Sequence, residues 1–204
     1  MTLKRESPDT LGCRNNKPDP GDAKEGAAMR VLPAAERKAL RACTPADLVR
    51  IRYGAGTELA VVADHDGQSG FWLIYLTGPS AAKWLALKDD DLDTPVVSFG
   101  KEYCIEADQS ALIEMQPSTL NSVAGSLMLC GAEWHLRAHV ESSKGQIGAR
   151  HYVWSSGALI SPRPEFELTA FSKWSLYIDN DHCCGLAKSA PLMTFDCQSQ
   201  LRAG

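Results

Sequence analysis

Residues 132–141 read "AEWHLRAHVE", and two structures compete for them. His135 and His139 stand in an H-x3-H spacing, which on a helix would put both imidazoles on one face, ready to share a metal. Read with period two, however, Ala132, Trp134, Leu136, Ala138 and Val140 fall on one side. Glu133, His135, Arg137, His139 and Glu141 fall on the other, and ten residues alternate without an exception. In a strand, residues four apart lie ~13 Å apart at ~3.3 Å per residue, too far to share an ion. The stretch is therefore predicted to be a strand, and neither a metal nor a cofactor is expected.

"QIGARHYVW", residues 146–154, is the expected partner strand, with "ESSKGQ" as the turn. Glycine suits the second position of a two-residue loop, which points to Lys144–Gly145 as that loop. This register places His139 opposite Arg150, Arg137 opposite Tyr152 and His135 opposite Trp154. A four-residue loop would instead set Arg137 against Arg150, a like-charge pair that is destabilising. The first register is preferred. Either register yields one face bearing His135, Arg137, His139, Arg150, Tyr152 and Trp154, the candidate binding surface for an anionic or planar ligand; its plainer alternative is a solvated sheet face. His151 falls on the apolar side and is expected to be a hydrogen-bonded core histidine. Catalytic residues are not identified.

Outward from this hairpin, the same alternation recurs. Residues 48–53, "LVRIRY", set Val49, Ile51 and Tyr53 against Arg50 and Arg52, and "GAG" turns the chain into "TELAVVADH". "FWLIYLT" is apolar on both faces, as in a central, doubly covered strand. "PVVSF-GK-EYCIEAD" reads as a hairpin turning at Gly100, "SALIEMQ" as a further strand, and "FELTAFSKWSLYI" as one long strand. Eight to ten strands predict an all-β fold, a mainly antiparallel barrel or sandwich. Two helices are expected: one over residues 33–42, where Pro33 suits a first helical position, and a short one near residues 80–87.

Residues 1–30 carry few apolar side chains and nearly balanced charge, and read equally as a disordered tail or as a start codon assigned upstream of Met29. Residues 31–204 would then form a single β-rich domain, with an irregular C-terminal segment over 179–204. A net charge of −4 is unlike the basic footprint of a nucleic-acid binder. No apolar run approaches the ~18–20 residues of a membrane helix, so a membrane is not expected. Seven cysteines, an odd number at irregular spacings without a C-x2-C pair, argue against a disulfide framework or structural zinc and for reduced thiols in a cytoplasm.

"DNDHCCG" at 179–185, with Cys197, gathers metal-ligand types, yet adjacent cysteines on extended chain point apart, and a packed turn is the preferred reading. No phosphate loop, nucleophile elbow or H-E-x-x-H motif is present. The expected function is a non-catalytic cytoplasmic binding protein, an accessory or inhibitor-type subunit recognising another protein. The second reading is a small β-barrel enzyme, hydrolase-like, using histidines or cysteines of the second half. "LVRIRY" resembles the first strand of SH3-like barrels over six residues, and a third reading is an SH3-like nucleic-acid-binding module using Arg50 and Arg52.

Overall fold

The computed structural model describes residues 35–65, 70–113, 123–141, 147–161, 168–178 and 190–197. These residues form fifteen short strands: β1 (Glu36–Ala39), β2 (Leu48–Tyr53), β3 (Gly56–His65), β4 (Phe71–Tyr75), β5 (Trp84–Leu87), β6 (Pro95–Gly100), β7 (Cys104–Ala107), β8 (Leu112–Ile113), β9 (Leu127–Cys130), β10 (Glu133–Glu141), β11 (Ile147–Val153), β12 (Ala158–Ile160), β13 (Leu168–Phe171), β14 (Lys173–Tyr177) and β15 (Met193–Asp196). The helical pieces among them are three 3-10 turns of three to five residues. The all-β expectation holds. No helix among the described residues is long and apolar enough to cross a membrane.

Twelve strands make one folded sheet. β2 and β3 form a hairpin in which Tyr53 pairs with Gly56, and the strands β1, β6, β2, β3, β4 and β5 lie side by side as its first half. The second half runs β12, β11, β10, β9, β13, β8. The halves are joined where the far end of β3 pairs in parallel with β12, Asp64 opposite Ala158. A bridge between Lys83 and His139 brings the start of β5 to β10, but the sheet does not close into a barrel. A separate three-stranded sheet has the order β15-β14-β7.

Alternating side chains explain how the two halves face each other. Leu59, Val61 and Ala63 of β3 and Ile74 of β4 share one apolar cluster with Leu127, Leu136, Ala138, Tyr152, Trp154 and Leu159 of the second half. Trp174, Leu176 and Phe195 of the small sheet enter the same cluster. Ala60, Val62, Leu73 and Tyr75 turn the other way, into a second cluster with Leu40, Val49 and Ile51. β4 is therefore covered on both faces, as its unbroken apolar run anticipates.

Five expectations are corrected. Where a helix is expected over 33–42, Glu36–Ala39 is a strand paired to β6, followed by one 3-10 turn. A ten-residue helix is marginal by itself, and edge pairing with burial of Leu40 outweighs propensity. Near residues 80–87, Trp84–Leu87 is a strand on the edge of β4. Gly100 does not close a hairpin, because β6 gives both its edges to β1 and β2, and β7 pairs with β14. The long strand over 166–178 breaks at Ser172. Its two parts, β13 and β14, belong to different sheets, and the Ser172 N–H is satisfied by the Ala111 carbonyl at 2.9 Å. Within the segment expected to be irregular, Met193–Asp196 pairs with β14. The tail over 1–30, the turn after β10 and "DNDHCCG" lie outside the described residues.

Candidate functional site

β10 is a strand, as its alternation requires, but its pairing with β11 follows neither register considered above. Leu136 stands opposite Tyr152, Arg137 opposite His151, Ala138 opposite Arg150 and His139 opposite Ala149. A shift of one residue moves a whole set of side chains to the other face. The core sets this register: Tyr152 and Trp154 follow Leu136 and Ala138 into the main apolar cluster. The six candidate residues are consequently divided. His135, Arg137 and His139 share the face away from that cluster with His151, whereas Arg150, Tyr152 and Trp154 lie on the cluster's side.

The divided face is not solvated either. His135 and Arg137 are 2% and 1% exposed, and Tyr152 and Trp154 are buried with them; His139 and Arg150 are half-buried. Arg150 sets its guanidinium 6.0 Å over the Trp84 ring and donates from Nη1 to the Ala149 carbonyl at 3.0 Å. Tyr152 donates to the Val62 carbonyl at 3.4 Å, tying the two halves of the sheet. Trp154 packs edge-on against Tyr152, Trp174 and Tyr103. His151 is a core histidine, as expected, but neither of its ring nitrogens has a hydrogen-bond partner.

On the opposite face, Arg137 Nε donates to His139 Nε2 at 3.3 Å, a contact that requires a neutral His139 with its proton on Nδ1. Burial lowers the His139 pKa, and the Arg137 charge lowers it further. Burial pulls His151 down to about 4, with Arg137 and His135 adding to the fall. His135 is lowered by burial, an effect partly opposed by the Glu133 carboxylate. Cys130, the last residue of β9, joins this group. Its Sγ and one nitrogen each of His135 and His151 lie within 4.8 Å of one another, and all three residues are buried. Burial, with Glu133 contributing, pushes the Cys130 thiol up to about 11.

Cys130 escapes an inspection for ligand spacing because the three residues meet through strand pairing. Its signal is the two-residue turn at Gly131 and Ala132, with Gly131 at φ +63°, which sets Cys130 opposite Glu133 and diagonal to His135. The paired register of β11 then adds His151. H-x3-H remains rejected, since His139 is not part of the group.

A second feature is open to solvent. A cleft of about 300 Å³ is lined by Tyr103, Ile105, Trp134 and Trp154, with exposed Lys101 and Ser155 at its rim. Tyr103 donates to the Ala46 carbonyl at 2.9 Å, and Ser155 to the Glu133 carboxylate at 3.0 Å. Cys104, which also lines the cleft, is disulfide-bonded, whereas Cys43, Cys130 and Cys197 are free. The expectation of uniformly reduced thiols is thereby corrected: uneven spacing does not report on which cysteines meet in space. Arg50 and Arg52 are exposed, with the Arg50 guanidinium 5.6 Å over the Phe99 ring.

Fold and site together define a mainly antiparallel all-β protein with a buried histidine face and an aromatic cleft among the described residues. Compared with known proteins, the chain matches no family model, no curated protein and no solved structure.

Proposed function

We propose that the chain is a non-catalytic binding protein, of accessory or inhibitor type, that recognises another protein through the Tyr103–Trp134–Trp154 cleft. The observation that carries this reading is the cleft's lining: aromatic walls beside a lysine rim, with no histidine or carboxylate among the described residues that line it. Aromatic side chains supply large contact area at low entropic cost and dominate protein recognition. The volume of about 300 Å³ suits one or two side chains of a peptide segment. Lys101 favours a segment that carries a carboxylate next to its apolar anchor.

The hydrolase-like alternative draws less support. A general base must reach substrate, and His135 and His151 are sealed inside the sheet. The buried Cys197 thiol, pushed up to about 11, is not the thiolate a nucleophile needs. The Cys104 disulfide favours an oxidising compartment over the cytoplasmic location expected from the cysteine count.

Panning the full chain against a peptide library tests the proposal. Enriched peptides should pair an aromatic or large aliphatic residue with an acidic one, and Trp134→Ala and Lys101→Glu should each weaken their binding at least ~10-fold. Leu112→Ala, an exposed apolar residue on β8, serves as control and should leave binding unchanged. No enrichment, or peptides indifferent to the two cleft substitutions, would overturn the reading.

A further inference from the structure

We propose that Cys130, His135 and His151 form a buried site for a single thiophilic divalent cation of the zinc class. The three donor atoms already lie within 4.8 Å of one another, on three adjacent strands. Metal–donor distances of ~2.0–2.3 Å in a tetrahedral site set neighbouring donors ~3.3–3.8 Å apart. Side-chain adjustments of about 1 Å close that gap, well within the reach of χ rotations on a fixed sheet. Thiolate and imidazole are the donor types that zinc prefers, and the pair excludes calcium and magnesium, which take oxygen ligands.

An independent observation points the same way. Nδ1 and Nε2 of His135 and of His151 are all buried without a hydrogen-bond partner. Buried polar atoms are nearly always satisfied, and leaving one unsatisfied costs ~1–3 kcal/mol. A cation on one nitrogen of each ring would satisfy two of the four atoms directly. No hydrogen bond occupies a nitrogen of either ring, so an imidazole lone pair is available to a metal. Binding converts the Cys130 thiol to thiolate and releases its proton to solvent, leaving one net positive charge on the ion and its ligand. Glu133, on the same face of β10 and electrostatically coupled to Cys130 and His135, offsets that charge; Arg137 opposes it. A fourth coordination position falls to water or a further donor.

Cobalt(II) is the probe, because a thiolate ligand gives it a charge-transfer band that imidazole and carboxylate do not. The full chain, titrated with cobalt, is expected to bind one ion per chain with that band and the visible absorption of a tetrahedral site, and zinc should displace it. Cys130→Ser should abolish the charge-transfer band, and His135→Gln should weaken binding by more than ~100-fold, beyond the loss of a merely supporting contact. Cys43→Ser and Cys197→Ser, at the other buried free thiols among the described residues, should leave the spectrum intact. Should the variants fail to fold, alkylation of the wild-type chain, continued for as long as the zinc-free protein needs to label Cys130 fully, gives the answer: zinc should protect Cys130 over that time, with the modified peptide identified by mass spectrometry. Absence of the band in wild type, a band that survives in folded Cys130→Ser, or equal labelling of Cys130 with and without zinc would overturn the site.

Discussion

Arg137 is among the largest fully buried side chains of the molecule, one residue from the equally buried Leu136. The alternation of "AEWHLRAHVE" reveals which side chains share a face, but not whether that face is covered. Exposure of the charged face is the natural inference for a one-sided sheet, and here the sheet is buried on both sides at this point. Leu136→Ala is expected to cost ~2–5 kcal/mol, the range for emptying a core leucine site. Arg137→Ala should cost at least ~2 kcal/mol, because it removes a comparably buried stem and the partner of His139. Glu133→Ala, exposed on the same strand, should cost less than ~1 kcal/mol. Urea unfolding of the three variants is the check. An Arg137→Ala cost as small as that of Glu133→Ala would mean that the face is open in solution.

Elements were legible in the sequence where the pattern was long, and their partners were not. β2, β3, β4 and β10 follow directly from alternation or from an unbroken apolar run, and the β2–β3 hairpin from its glycine turn. β7 shows what pattern leaves out: its sequence announces a strand, but its partner β14 lies some seventy residues away (174 − 107 = 67 at the Trp174–Ala107 pair). The helix expected over 33–42 fails because a local preference of tenths of a kilocalorie yields to a paired edge. In the same way, the turn at 144–145 predicted a register that core packing then shifted by one residue, and that shift concealed the Cys130–His135–His151 group.

Two glycines separate backbone strain from steric contact at this scale. Both Gly54 in the β2–β3 turn and Gly157 before β12 have positive φ, +58° and +75°. A Cβ at Gly54 meets nothing within 4 Å, whereas one at Gly157 would lie 2.4 Å from the Ala46 nitrogen. Gly54→Ala should cost ~1–2 kcal/mol, the usual left-handed penalty. Gly157→Ala should exceed it by ~1–3 kcal/mol, since backbone must move to admit the methyl group. Equal losses in thermal or urea unfolding would show that the loop before β12 yields freely.

At the level of the whole molecule, cysteine usage is the property least legible from sequence, because pairing depends on which strands the fold brings together. Cys104 is oxidised, while Cys43, Cys130 and Cys197 are free and buried. Alkylation of denatured, unreduced protein should therefore label Cys43, Cys130 and Cys197 and leave Cys104 unlabelled until a reductant is added. Peptide mass spectrometry reads the four positions separately. Labelling of Cys104 without reductant, in protein prepared under oxidising conditions, would return the chain to the fully reduced state that the odd count suggested.

The parallel pairing of β3 with β12 also governs the order in which the chain can assemble. β2, β3 and β4 are neighbours in sequence, and their meander closes at small loop entropy. Asp64 and Ala158 can meet only after all of the intervening chain is synthesised, and β12 is held along its other edge by β11. Until then, the last residues of β3 offer unpaired backbone groups to any strand that arrives first. Such non-local β pairing sets refolding on the millisecond-to-second scale (~10⁻³–1 s) and leaves the half-built sheet open to association with another copy. Refolding yield should accordingly fall as protein concentration rises, through the one strand that both halves of the sheet must share.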